Sequence, residues 1–326
     1  MNFSMIDLAR RTCRARLAVI SWTLAISIAA HGAAHAAARP VGPVRLSAAE
    51  SDSLREVITN DRAETGKWLQ SAATSYLATV LRRDFDGKFS LTVGSAADVD
   101  VRLRDEAIRP HHLRVTVIGD SFWVETVDAG ATFAVGGRDT SSARLVPSTI
   151  KVGRYGLRLS HQRFPALIVF DPQSPRFKDY KGMSYYPIDL KWRFVVPLTP
   201  NPRPDTTIIE STRGNRRHAI HAGWFEFVAN GKQCRLAATR LLEPGVGEHD
   251  LSVFFRDATT GKETYGVGRY LDPEPLGDGR YVLDFNLAYN PACAFSEHYN
   301  CPIPLRENRL PIAVRVGDRD PHYYEH

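Results

Sequence analysis

Leu113-Arg-Val-Thr-Val-Ile-Gly-Asp-Ser-Phe-Trp-Val-Glu-Thr-Val127 is the stretch whose reading decides the fold. Leu113, Val115 and Val117 alternate with Arg114 and Thr116, and after Gly119-Asp120 the alternation resumes at Phe122 and Val124. A period of two puts every second side chain on one face, so each half reads as a strand with one buried side. The Gly-Asp pair supplies the positive φ that a tight turn between strands requires. The same grammar runs outward in both directions. Phe89-Ser-Leu-Thr-Val and Val99-Asp-Val-Arg-Leu precede it. Trp192-Arg-Phe-Val-Val, Trp224-Phe-Glu-Phe-Val, Leu251-Ser-Val-Phe-Phe, Tyr281-Val-Leu-Asp-Phe and Leu310-Pro-Ile-Ala-Val-Arg-Val follow, punctuated by Asn230-Gly231, Thr260-Gly261 and Asp278-Gly279. Regular turns between alternating runs predict a mainly β protein built of sandwiches or barrels.

Two segments depart from the pattern. Ser47-Ala-Ala-Glu50 is a capping box, and Leu54, Val57 and Ile58 follow it at helical spacing, so one or two helices are expected through about Leu81. Between Phe170 and Gly182 alternation stops and two prolines appear, which suits a connector. The expected organisation is an N-terminal helical segment over 37–81, a β-sandwich over 82–170, and a second antiparallel β domain, sandwich or barrel, over 183–326.

The first residues read as a leader. Arg10, Arg11, Arg14 and Arg16 precede an apolar run from Leu17 to Ala30 and then small residues, so residues 1–36 are expected to be a signal peptide cleaved after Ala36 or Ala38. The apolar run is shorter than the roughly twenty residues of a spanning helix. The chain is therefore expected to be exported, periplasmic or secreted, with no membrane span after cleavage. Cleavage removes four arginines and Asp7 from 42 basic and 36 acidic residues, leaving 38 and 35, a net +3. That balance, without a basic run, argues against a nucleic-acid partner.

Chemistry-bearing residues are sparse. Gly119-Asp120-Ser121 resembles the nucleophile block of one hydrolase family but sits between two strands, where it reads as a hairpin tip. His111, His112, His218, His221, His298, His322 and His326 lack zinc-ligand spacing, so no metal is expected, and no cofactor either. Cys293 and Cys301, seven residues apart in an exported chain, are expected to form a disulfide contributing on the order of 2–3 kcal/mol. Cys234 reads as a buried free thiol.

Gly94-Ser-Ala-Ala-Asp-Val-Asp-Val-Arg-Leu, Ile108-Arg-Pro-His-His-Leu-Arg-Val and the stretch from Phe122 to Gly137 together resemble the core of a forkhead-associated phosphothreonine-binding sandwich. In that family an Arg follows the first Gly and a Ser opens the block before the His, and these two hold the phosphate. Here those places hold Ser95 and Arg109, while His112 matches the family's structural His. The resemblance implies the sandwich without its phosphate grip.

Further on come Asp284-Phe-Asn-Leu-Ala-Tyr-Asn-Pro-Ala-Cys293, Cys301-Pro-Ile-Pro and Glu307-Asn-Arg-Leu, with Tyr186-Pro-Ile-Asp-Leu-Lys-Trp before them. In this order the blocks resemble the family catalogued as domain of unknown function 1684, over roughly residues 60–318, and the resemblance implies no activity. The blocks and their neighbours bring Arg256, Asp257, Tyr265, Arg269, Asp284, Asn286, Tyr289, Asn290, Glu307, Asn308 and Arg309 onto a few strands and a loop. One reading is an internally satisfied polar network. The other is a pocket for a small polar or anionic ligand, with Arg256 and Arg269 as charge partners and Tyr265 and Tyr289 as walls. The expected role is therefore a non-catalytic binding or cell-envelope accessory function. Two rivals are a hydrolase using Asp284 or Glu307 as general base and a thiol-redox protein using Cys293 and Cys301.

Overall fold

The computed structural model describes residues 41–323. The expected leader over residues 1–36 and both candidate cleavage positions lie outside the described residues. Helix α1 (Ala48–Ser71) starts as the capping box requires: the Ser47 hydroxyl accepts the Glu50 amide at 3.3 Å and Glu50 accepts the Ser47 amide at 2.7 Å. Only Ile58 and Leu69 of this helix are buried.

Eleven strands then form two facing sheets. They are β1 (Thr79–Asp84), β2 (Ser90–Gly94), β3 (Val101–Arg102), β4 (Leu113–Ile118), β5 (Ser121–Thr126), β6 (Phe133–Val135), β7 (Arg138–Thr140), β8 (Ser142–Leu145), β9 (Thr149–Val152), β10 (Tyr155–His161) and β11 (Pro165–Phe170). One sheet runs β3-β2-β4-β5-β8 and the other β1-β11-β10-β9-β6-β7. Leu91, Val115 and Val124 of the first meet Leu157, Leu159 and Leu167 of the second in one core, which makes the unit a sandwich. Gly119-Asp120 is the two-residue turn that follows the Ile118–Ser121 pair, with Gly119 at φ 58°. His112 is buried and fixed at both ring nitrogens: Nδ1 accepts the Arg109 amide at 3.0 Å, and Nε2 faces the Thr132 carbonyl at 2.8 Å. Gly94 is needed for closeness, since a Cβ there would lie 1.9 Å from the Pro110 carbonyl oxygen.

The second domain is an open antiparallel sheet, β13 (Thr206–Glu210), β14 (Arg216–Ala229), β12 (Arg193–Pro200), β19 (Arg280–Asp284) and β18 (Glu274–Pro275), in which β15 (Lys232–Leu241) also pairs with β14. A hairpin of β16 (Val253–Phe255) and β17 (Arg269–Leu271) packs beside it, and none of these sheets closes into a barrel. The run Leu310 to Val316, expected as a strand, forms none. Pro311 lacks an amide donor, and the carbonyls of Val314 and Val316 accept from the Arg269 guanidinium instead of a neighbouring strand. At the other end of the described chain Val41 pairs in parallel with Phe227, and the Val44 amide reaches the Arg193 carbonyl at 3.0 Å.

The two units share a third core. Along β11, Leu167 and Val169 enter the sandwich core, while Ile168 and Phe170 join Leu69, Tyr270, Tyr289 and Phe295 on the opposite face. A sheet covered on both sides reads as a continuous apolar run, which is how Ala166-Leu-Ile-Val-Phe reads.

Candidate functional site

Most residues of the family blocks are engaged internally. Asp257 and Arg269 form an ion pair at 2.7 Å with side chains 0% and 1% exposed. Arg269 also donates to the carbonyls of Val314, Val316 and Asp318. Asp284 bonds Arg193 at 2.9 Å and takes both the amide and the Nδ2 of Asn286, whose Oδ1 accepts the Asp189 amide at 2.9 Å. Asn308 accepts the Ala237 amide and donates to the carbonyls of Ala237 and Phe254, tying β15 to β16. Asn290 links to Asp318 and Arg319, Tyr265 donates to the Cys293 carbonyl at 3.1 Å, and Arg256 donates to the Val267 carbonyl at 2.9 Å. Glu307 is exposed, 3.4 Å from the Trp224 indole nitrogen, and exposed Arg309 pairs by backbone with Arg256. These residues are distributed through one domain as fasteners of loops and strands rather than gathered round an opening.

A cavity of about 170 Å³ lies instead where the two units meet. Its sandwich wall comes from β10, where Leu157 and Leu159 face the sandwich core and Arg158 and Ser160 face away from it. That outer face is nevertheless buried, with Arg158 at 8% and Ser160 at 6%, because the second domain covers it. Arg217, Phe254, Tyr270, Tyr289 and Asn300 line the opposite wall. Of the residues singled out from the family blocks as ligand contacts, Tyr289 alone lines this cavity.

The wall is charged but matched. Arg217 grips Glu243 through two bonds, of 2.6 and 2.9 Å, with both side chains buried, and donates to the Asn300 carbonyl at 3.2 Å. Arg82 pairs with Asp84 at 2.7 Å, Arg158 is engaged as well, and the Tyr289 hydroxyl donates to Asp272. Burial pushes the Tyr299 phenol up to about 12, and it pairs with the Thr79 hydroxyl at 2.7 Å. Arg82 Nη2, although 2.7 Å from Asp84, makes no hydrogen bond. Asn300, 3% exposed, has no partner for either side-chain atom, Oδ1 or Nδ2, and His161 has none for Nδ1. Leaving such atoms unbonded in a protein interior costs on the order of 1–3 kcal/mol each.

The expected Cys293–Cys301 disulfide is not formed. Both are buried free thiols, as is Cys234. The turn at Ala292–Ala294 aims the Cys293 amide at the Cys301 sulfur, 3.3 Å away, so the two residues are joined by hydrogen bonding rather than a covalent bond. Burial drives the Cys301 thiol well above its usual range, whereas a hydrogen bond from Cys301 holds Cys293 below it. Among the described residues no cluster of three or more His, Cys, Asp or Glu side chains could hold a metal, and no helix is long and apolar enough to cross a membrane.

Sequence reasoning missed Asn300 and His161. Asn300 directly precedes the Cys301-Pro-Ile-Pro block, so its position in the chain was a usable signal; His161 offered none.

Residues 178–319 match the family described as "Protein of unknown function (DUF1684)". That span covers the second domain and excludes the sandwich. Among solved structures, the chain is similar to an uncharacterized protein of Haloarcula marismortui, with 34% identity, 47% of this chain and 85% of that chain covered, and a TM-score of 0.38. It is also similar to the FhaA FHA domain complexed with the intracellular domain of Rv3910, at 16% identity, 27% and 96% coverage and a TM-score of 0.20. Mycobacterium tuberculosis EmbR in complex with a low-affinity phosphopeptide follows at 13% identity, 37% and 34% coverage and a TM-score of 0.20. No curated protein matches the chain.

Proposed function

The chain belongs to the family described as Protein of unknown function (DUF1684), and from that premise we propose that it is a non-catalytic binding protein whose small polar ligand occupies the cavity between the sandwich and the family domain. One observation carries this reading: Asn300 is buried in the cavity wall with both polar atoms of its carboxamide unbonded. A native interior pairs nearly all such atoms, so an unpaired carboxamide in a residue beside a cavity marks a place where a partner is missing. The cavity falls below the roughly 300 Å³ at which drug-sized pockets begin, which limits the ligand to a small one.

The same proposal places the mature chain outside the cytoplasm, supported by the leader from Arg10 to Ala36. N-terminal sequencing of the protein recovered from cells tests that part: a start at Ala37 or Arg39 agrees with it, and an intact Met1 ends it. Binding is tested by the thermal shift of the purified chain against small amides, sugars and organic acids. A saturable shift that Asn300→Leu abolishes supports the site. Uniform absence of shifts, with Asn300→Leu no more stable than the parent, refutes it.

A further inference from the structure

We infer that Cys293 and Cys301 together bind one soft monovalent metal ion, Cu(I) in class, between their sulfurs; the inference stands apart from the junction ligand. Two elements bring the thiols side by side. The turn at Ala292–Ala294 aims the Cys293 amide at the Cys301 sulfur, 3.3 Å away. Cys301 is fixed from its other side, donating its amide to the Thr212 hydroxyl at 3.1 Å and accepting the Thr212 amide on its carbonyl at 2.9 Å. An amide aimed at a sulfur steadies the charge of a thiolate, as outer-shell donors do for the ligands of a metal.

The number and softness of the ligands then select the ion. Both thiols sit in one apolar core with Tyr265, Tyr270, Phe295 and Tyr299, and among the described residues no third His, Cys, Asp or Glu joins them in a metal-holding group. Zinc asks for four ligands in a structural site, or three and a water, and calcium for six or more oxygens, so neither is satisfied here. Thiolate sulfur selects soft ions, and Cu(I), with its filled d shell, is satisfied by two sulfurs in a line.

The pair also has an approach. A pocket lined by Thr212, Arg213, Glu297 and Tyr299 reaches Cys293, and Cys301 borders the junction cavity. At 1% and 6% exposed, the two residues admit a bare ion more readily than a bulky reagent. Binding replaces two S–H bonds by two S–Cu bonds and releases two protons to water. The copper arrives and stays monovalent, so no electron is transferred and the bound unit carries one negative charge. The surrounding rings keep water from that unit, which holds it against exchange.

Titration of the reduced full chain with Cu(I) under argon, in competition with the coloured Cu(I) chelator bicinchoninate, tests this. One equivalent is expected to leave the chelator. Cys293→Ser and Cys301→Ser should each weaken that uptake about tenfold or more, while Cys234→Ser leaves it unchanged. X-ray absorption of the loaded parent should show two sulfur neighbours, a readout that needs no variant to fold. An equal affinity for Zn(II), retained uptake in the first two serine variants, or nitrogen and oxygen neighbours in place of sulfur overturns the inference. So does a parent that takes up no copper, or one recovered from cells with Cys293 and Cys301 joined as a disulfide, since its ligands are then spent on each other. None of these outcomes bears on the junction ligand.

Discussion

Two polar regions of this molecule, both deeply buried, treat their hydrogen bonds in opposite ways. Around Asp257, Arg269, Asp284 and Asn308 most carboxylate, guanidinium and amide atoms are engaged, often with backbone carbonyls of loops that lack strand partners, with Arg269 Nε and Asn290 Oδ1 left over. At the junction, Asn300 holds two side-chain atoms, Oδ1 and Nδ2, that nothing in the chain satisfies. The first arrangement explains why the family's most recognisable residues are there: they substitute for a ladder in a region with few strands. Recognisability here tracks structural need. The junction cavity takes only part of its lining from those blocks, through Tyr289, Pro291, Cys301 and Pro302.

The contrast can be broken in order of effect. Removing one member of the buried pair, as in Arg269→Leu or Asp257→Ala, should cost about 3–5 kcal/mol, measured by urea unfolding, because the survivor is left charged without water. A loss under about 1 kcal/mol would show that the cluster is not scaffold. Asn308→Ala should cost on the order of 3 kcal/mol in the same assay, since Ala237 loses both backbone partners and Phe254 loses one. Asn300→Leu is predicted to have the opposite sign, raising the stability of the ligand-free protein by about 1 kcal/mol as two unbonded atoms leave the interior. Destabilisation by more than about 1 kcal/mol would place Asn300 with the scaffold and erase the comparison.

The smallest effect sharpens the scaffold side through pH. Glu263 is held down at about 2, from an ordinary 4.5, first by its bond to Arg315 and then by the Tyr186 hydroxyl. Its folded value lies below its unfolded one, so its contribution is complete above about 4.5 and is lost as pH falls toward about 2. Glu263→Gln should flatten the fall of melting temperature over that window and leave it unchanged at pH 7 to 8. An unchanged slope would mean that the exposed pair contributes nothing.

Much of the fold is legible in the residues themselves. Ser47 and Glu50 announce the start of α1, Gly119-Asp120 fixes the hairpin of β4 and β5, and Asn230-Gly231 does the same for β14 and β15, because these signals are local. Leu310 to Val316 misleads for a physical reason: alternation reports which side chains are buried, whereas a strand also needs a neighbour, and here a guanidinium occupies the carbonyls. The cysteines mislead similarly, since closeness in sequence brings Cys293 and Cys301 together without joining them. The junction is illegible because its two walls, around Arg158 and around Asn300, belong to distant segments that meet only after both units have formed.

The first and last strands of the sandwich are paired neighbours, with Thr79 opposite Phe170. Its entrance and exit are therefore side by side, and the sandwich is in effect a guest spliced into a host whose earliest described residue, Val41, is already bound at Phe227. While the guest is folded, it is a short clasp between the Val41 strap and the rest of the host. If it unfolds alone, the clasp becomes a coil of about 90 residues, and holding the strap in place then carries a loop-closure penalty of about 4 kcal/mol. Melting of the sandwich thus reaches β14 of the other domain through chain connectivity, in addition to the core that the two units share.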